Sequence, residues 1–343
     1  FLASVAIPLV PDIPGFQNIR YLTSDTVWGL SELPRRFLVI GGGPIGCEIA
    51  QAFANLGSAV TQIDSAPRIM AREDSEVSSL LQDQFTKDGI SVLTNHKVVE
   101  FGRNEEQNYA ILKNEEQTTR IEFDEVLIAV GRVANTSGFG LENLDLPLTS
   151  NGNIAVNAAL QTGYPNILAC GDVAGPHQFT HMASYQAFFA SLNALLVGFW
   201  RVKASDYIVP SATFTSPEIA RAGLNEQQAD SLEIDCDITF FDMAELDRAV
   251  ADGIPGGFIK ILTSPKKDTI LGVTIVGPQA GELIGEFIFA MTHGMGLKKI
   301  SAVTHIYPTL SEANKFAANK WRNDRLPTTY FPILKKFFRW RRG

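Results

Sequence analysis

RFLVIGGGPIGCEIAQAFANLGSAVTQID, from Arg36 to Asp64, is the stretch that decides the fold. It opens with a short apolar run, Arg36 to Ile40, suited to a strand buried in a parallel sheet. Gly41-x-Gly43-x-x-Gly46 then leads into apolar residues at helical spacing, Ile45, Ile49, Phe53 and Leu56, until Gly57 stops the helix. AVTQID returns as a second strand ending in an acid. A strand–turn–helix–strand unit of about 30 residues has the proportions of a βαβ crossover. In that setting the first glycine permits a tight turn, the second lets a pyrophosphate approach the backbone, and the third lets helix and strand pack closely. Pro44 and Ile45 complete the turn, where N–H groups at the positive end of the helix dipole stabilise an anion. Asp64 can accept hydrogen bonds from an adenosine ribose and repel a 2′-phosphate, which favours NAD over NADP. Arg68 and Arg72 follow closely, and one Arg can accommodate the extra phosphate, so NADP stays open. The competing structural reading makes the glycines a plain turn and Asp64 a helix cap.

Outward from this unit, the proline-rich first 33 residues read as a connector. SEVSSLLQDQFTKDG reads as an amphipathic helix, ISVLTNHKVVEF and YAILKN as strands, and FDEVLIAVGR as a buried strand stopped by Gly131. NILACGD is a further apolar strand broken by Gly171, and helical spacing runs from His181 to Trp200. After Ser205 come the strand candidates ATFTSPEIARAG, DITFFDM, GFIKILTSP and TILGVTIVG. Helices follow from Ala280 to Met295 and from Leu310 to about Trp321. The fold class is therefore α/β, with a Rossmann-like parallel sheet, followed by an α+β module.

At 343 residues the chain suits two to three domains, and 45% apolar residues exclude a disordered chain. Three well-separated cysteines exclude a disulfide scaffold, a CxxC pair and a zinc ribbon, and weakly favour a reducing, cytoplasmic setting. No histidine set has metal-ligand spacing; His177 and His181 alone are insufficient. The net charge of −8 argues against general nucleic-acid binding. That charge is uneven: Trp321 to Gly343 carries seven Lys/Arg against one Asp. The chain opens on Phe1 rather than Met and shows no signal segment, so its beginning is expected to be missing.

GGGPIGCEIAQAFANLGSAVTQID, VLIAVGR, QTGYPNILACGDVAG, ATFTSPEIARAG and HIYPTLSEANK occur in the order seen in the flavin-dependent pyridine nucleotide–disulfide oxidoreductases, and the chain resembles that family over nearly its whole length. The resemblance is nearest to mercuric-reductase-like members and soluble flavoprotein transhydrogenases. It implies the tail of an FAD domain over 1–33, an NAD(P) domain over 34–150 and a returning FAD segment over 151–201. A dimerisation domain over 202–325 and a basic tail over 326–343 would follow. It also implies that an earlier FAD segment, with a first glycine turn and a CxxxxC pair, would precede Phe1. FLASVAIPLVP departs from the family pattern, with Val5 where a glycine is usual.

By the same resemblance, Gly131, Gly171 and Asp172 belong to cofactor binding, Asp172 toward the flavin's ribityl hydroxyls. Its structural alternative is an Asx-type turn or helix cap. His181 and Ala183 would lie near the isoalloxazine, and Glu48 near the nicotinamide–flavin stack; a first-turn Glu is otherwise explained by the helix dipole. Cys47 and Cys170 are expected to be packed residues without a redox role. Tyr307 stands where thiol-reducing members have a histidine paired with the acid that is here Glu312. A phenol titrates near pH 10 and is a poor general base at neutral pH, although it can stabilise an anion or a metal ion. His305 is a weaker substitute. The implied function is an NAD(P)H-dependent FAD oxidoreductase working as a homodimer, with a small-molecule or metal-ion electron acceptor. Its alternatives are an inert dinucleotide-binding and dimerising fragment, or a dithiol-free transhydrogenase. The basic-aromatic run Lys335 to Arg342 reads either as a solvated tail or strap on the acidic body, which is preferred, or as a membrane-surface contact.

Overall fold

The computed structural model describes residues 1–343 apart from 105–106, 116, 197–200, 205–206, 255, 327–329 and 343. The chain divides into two compact units, Phe1–Pro217 and Glu218–Gly343.

In the first unit the connector is not featureless. β1 (Ala6–Pro8) and β2 (Leu22–Thr23) both join sheets. β3 (Arg36–Ile40), α1 (Pro44–Leu56) and β4 (Ala59–Ile63) form the expected crossover. α2 (Ser75–Lys87), β5 (Ser91–Leu93), β6 (Lys97–Arg103), β7 (Asn108–Lys113), β8 (Thr118–Phe123), β9 (Glu125–Ile128) and β10 (Arg132–Ala134) follow. The parallel sheet runs β2-β9-β3-β4-β5, so the strand before the glycine turn is central. β3 is apolar on both faces because both are covered. On one face Phe37 stacks on Phe53 of α1, with ring centroids 4.3 Å apart. On the other, Leu38 and Ile40 share a core with Val98, Phe101, Ala110, Leu112 and Phe123 of the antiparallel meander β6-β7-β8. Leu56, expected on the packed stripe of α1, is exposed; Gly46, Cys47, Ile49, Ala50 and Gln51 are buried instead.

β1 pairs antiparallel with β10, Ala6 opposite Ala134, and Leu2 bridges Ala169. The segment NILACGD, read as a strand, makes only isolated bridges, Leu2 with Ala169 and Gln161 with Leu168. Leu168 and Cys170 are buried beside α3 (Thr180–Leu195), and Ala169 against Leu2 and Val173, without needing a ladder. The expected end of that helix, at Trp200, lies outside the described residues. β11 (Pro210–Thr213) closes the unit.

The second unit holds β12 (Glu218–Gly223), α4 (Glu226–Ser231), β13 (Asp237–Asp242), α5 (Asp247–Ala251), β14 (Phe258–Thr263) and β15 (Ile270–Gly277). α6 (Ala280–Thr292), α7 (Leu297–Ser301), α8 (Glu312–Asp324) and α9 (Tyr330–Arg341) complete it. Its four strands are antiparallel in the order β12-β15-β14-β13. β14 is buried along its whole length, with α8 against β13 and β14 and α6 against β12 and β15. Trp321 of α8 donates from Nε1 to Thr263 Oγ1 at 3.2 Å, fixing helix to sheet.

Candidate functional site

The glycine turn is built by three different constraints. Gly41 has φ +116° and a Cβ there would lie 2.2 Å from the Ala129 carbonyl oxygen. A Cβ on Gly46 would lie 2.0 Å from the carbonyl oxygen of Gly41, so α1 can sit on β3 only with glycine there. Gly43 is unlike both: its backbone is extended and a Cβ would meet nothing within 4 Å. It is the N-cap of α1, with no side-chain cap and Pro44 in the first turn. Ile45 and Gly46 have no carbonyl one turn back, so their N–H groups point out of the helix end beside the space that Gly43 leaves open. Gln62 of β4 braces the turn, donating to the Gly41 carbonyl at 2.9 Å.

Asp64 is not a helix cap. One carboxylate oxygen accepts from Gly42 N at 2.5 Å and the other from Ala66 N at 2.7 Å, so it ties the glycine turn to the loop after β4. Each oxygen has a second lone pair for a ribose hydroxyl. Arg68 folds onto its own loop, donating to the carbonyls of Ala71 and Glu73 at 3.3 and 3.1 Å. Both bonds use one terminal nitrogen of the guanidinium, and Nε makes no hydrogen bond among the described residues.

Glu48 sits one turn into α1, where Oε1 accepts from Phe214 N at 2.7 Å. Gln51, without any sequence signal, clamps the same segment by donating to the Ser216 carbonyl and accepting from Ser216 N. Burial pushes the Glu48 carboxyl above its ordinary value of 4.5, opposed by the Phe214 N–H. A raised value means that folding disfavours the charged form. The resulting destabilisation is full at neutral pH and fades as pH falls through the folded value toward 4.5. Glu48→Gln keeps an acceptor for Phe214 and should therefore melt higher than the unaltered protein at pH 7, with the gap closing below pH 4.5; a thermal-melt series against pH reads this directly. Cys47, fully buried, has its thiol pushed up to about 12 by desolvation, and Cys170 is raised by burial as well. Neither is a thiolate at neutral pH, in keeping with packed roles.

Asp172 serves neither as an Asx turn nor as a cap. Its Oδ2 accepts from Ala6 N at 2.9 Å, and its other oxygen makes no hydrogen bond among the described residues. The opposite side of Ala6 is held by Arg132, which donates to the Ala6 carbonyl and reaches Ser24 and Asp25. Gly131, immediately before it, has φ +137°, a conformation that favours glycine. Gly171 has φ +74°, and a Cβ there would lie 3.1 Å from the Ala183 Cβ. Ala183 thus packs on the turn at Gly171, while Gln186 caps that turn by accepting from Gly171 N at 2.7 Å. His181 is exposed and bonds through Nε2 to the Pro210 carbonyl at 2.9 Å.

In the second unit Tyr307 and Glu312 are not hydrogen-bonded to one another. Tyr307 is 67% exposed, and its hydroxyl donates to Asp247 at 3.1 Å. That bond to a carboxylate raises the phenol further above 10.0, away from any role as a base near neutrality. Glu312 is buried and accepts from Thr309 N at 3.3 Å within its own turn. His305 pairs with Glu286 at 3.1 Å, and Asn314 donates to the same Glu286 oxygen at 2.9 Å. Asp247, Glu286 and Gln186 belong to no quoted motif, and Gln62, although inside one, had no role assigned; only spatial contact reveals what they do. Among the described residues no group of three or more His, Cys, Asp or Glu could hold a metal ion.

Residues 1–187 match the pyridine nucleotide-disulphide oxidoreductase family, and residues 209–318 match its dimerisation domain. A dihydrolipoyl dehydrogenase of Chlamydia pneumoniae is 36% identical over 92% of the chain and 65% of its own length. A mercuric reductase of Staphylococcus aureus is 33% identical over 94% of the chain and 59% of its length. The chain thus spans less than two thirds of these relatives. Among solved structures, the copper(II) complex of the HOCl-induced flavoprotein disulfide reductase RclA from Escherichia coli superimposes with a TM-score of 0.84, at 27% identity, covering 92% of this chain and 71% of that one. With both of its units accounted for, the chain belongs to the pyridine nucleotide-disulphide oxidoreductase family.

Proposed function

We propose that this chain serves an NAD(P)H-dependent FAD oxidoreductase, in which hydride passes from nicotinamide to flavin and electrons pass to a disulfide, a metal ion or another small acceptor. The observation that carries the reading is the uncapped start of α1 beside Gly43, where a side chain would meet nothing within 4 Å. A coenzyme diphosphate suits that cradle, with the N–H groups of Ile45 and Gly46 as donors and Asp64 as acceptor for the ribose. The uncommitted oxygen of Asp172 suits a ribityl hydroxyl of FAD. FAD, when bound, supplies the redox chemistry, and the chain supplies binding and orientation. Glu48, fixed by Phe214 N, positions the nicotinamide end. The match to a dimerisation domain supports a homodimer whose second copy completes the acceptor side, where Tyr307 and Glu312 act. Tyr307, held on Asp247, favours an acceptor that needs no proton from that position, such as a metal ion or a second nicotinamide.

Calorimetry with each coenzyme and a flavin spectrum test the reading. NADH should bind and bleach a flavin band. NADPH should bind at least tenfold more weakly, since Asp64 repels its phosphate. Asp64→Asn, which keeps an acceptor but removes the charge, should narrow that gap. No heat from either coenzyme would overturn the proposal.

A further inference from the structure

Beyond the matched dimerisation domain, which ends at residue 318, lies a helix that the oxidoreductase chemistry does not use. α9, Tyr330–Arg341, is exposed at every residue from Phe331 to Arg341. At 3.6 residues per turn, Phe331, Ile333, Leu334, Phe337, Phe338 and Trp340 fall on one half of its circumference. Phe337 touches both Phe338 and Trp340, with ring centroids 5.6 and 6.0 Å apart, and Trp340 is 78% exposed. Lys335, Lys336 and Arg339, with Arg342 just past the helix, take the other half. Arg341 falls within the apolar half at the last turn, where a long stem can carry its charge outward. No acid lies in the helix, and none of these bases makes an ion pair among the described residues.

The exposure of α9 fits the solvated tail of the sequence reading, whereas a strap would have one face covered and both faces of α9 are open. What the helix adds to a solvated tail is a continuous apolar face. No described helix is long and apolar enough to cross a membrane. A basic half opposite an aromatic half instead matches a helix lying in the plane of a lipid–water interface. We propose that α9 docks this protein on an anionic lipid surface, its phenylalanines and Trp340 inserted among the acyl chains and its lysines and arginines at the lipid phosphates. The remainder of the chain is strongly acidic, so α9 is the part that such a surface attracts.

The test is flotation of the full chain with phosphatidylcholine vesicles, with and without phosphatidylserine, at low and high salt. Binding should require phosphatidylserine and weaken with salt. Replacing Lys335 and Lys336 together by Gln should weaken partition about thirtyfold, at roughly one basic residue's worth of surface attraction each. Trp340→Ala should weaken it at least about tenfold. All of these side chains are exposed, so the melting temperature should not move, which separates lost docking from lost folding. Equal binding to both kinds of vesicle, no binding at all, or variants that partition like the unaltered chain would overturn the proposal. So would a change of oligomeric state in Trp340→Ala without vesicle binding, which would give the face to a second copy.

Discussion

Gly43→Val should lose NADH binding at least about a hundredfold while the protein still folds, whereas Gly46→Val should fail by unfolding. The two glycines lie in one turn and in one motif, yet their surroundings are opposite. At Gly43 the backbone is extended and the direction of a side chain is empty. Valine there costs only what a poor N-cap costs, about 1 kcal/mol. It fills the space where the diphosphate would meet the helix end, and each charge-assisted bond displaced costs about 1.5–3 kcal/mol. Two such bonds already amount to a hundredfold or more in affinity. At Gly46 the new Cβ would stand 2.0 Å from the Gly41 carbonyl oxygen, which is main chain and has no rotamer to retreat into. α1 must then leave β3, at a cost of about 3 kcal/mol or more. Calorimetry read beside urea unfolding separates the two outcomes, and unchanged NADH affinity in Gly43→Val would move the coenzyme off this turn.

That contrast marks what was legible in the chain and what was not. The crossover was readable because its signals are local: an apolar run, glycines at fixed spacing and a terminal acid all lie within Arg36–Asp64. The strands after β11 were readable for the same reason, since the β14 and β15 segments, FIKILT and ILGVTIVG, are rich in Ile, Val, Leu and Phe despite Lys260 and Thr274 within them. β8, TTRIEF, was not, because only its last residue is fully buried and its outer face is polar. The short helices α4, α5 and α7 are five or six residues long, below the length at which helical periodicity can be recognised. NILACGD has a strand's composition, but its burial comes from α3 and Leu2 rather than from a ladder.

Within the site the same division holds. Motif residues were found where the motif itself fixes their geometry, as at Gly41 and Gly46. Their partners were not, because Gln51, Gln62, Gln186 and Arg132 act across distances in sequence that no local pattern encodes. Arg68 shows the converse: a basic residue at the right spacing for a phosphate is turned onto two carbonyls of its own loop. Tyr307 and Glu312 are five residues apart, yet one faces Asp247 and the other its own helix start.

Asp172 carries two duties that a pair of substitutions should pull apart. Its Oδ2 is the acceptor for Ala6 N, in a residue with no exposure, and its other oxygen is the one available to flavin. Asp172→Ala should leave the Ala6 amide buried without a partner. Stability should then drop by about 1–3 kcal/mol, with β1 loosened first. The same variant should hold FAD at least about a hundredfold more weakly, because a ligand contact and the strand beside it are lost together. Asp172→Asn keeps a carbonyl oxygen for Ala6 and should restore most of the stability. It exchanges a charged acceptor for a neutral one of about half the strength, so flavin retention should still fall by about tenfold. Hydrogen exchange at Ala6 reports the strand, and equilibrium dialysis of FAD reports the ligand. If both variants retain FAD like the unaltered chain while Asp172→Ala loses protection at Ala6, Asp172 anchors a strand and nothing more, and the flavin must be held by other residues. Because neither measurement involves NADH, that outcome would leave the coenzyme cradle at Gly43 untouched.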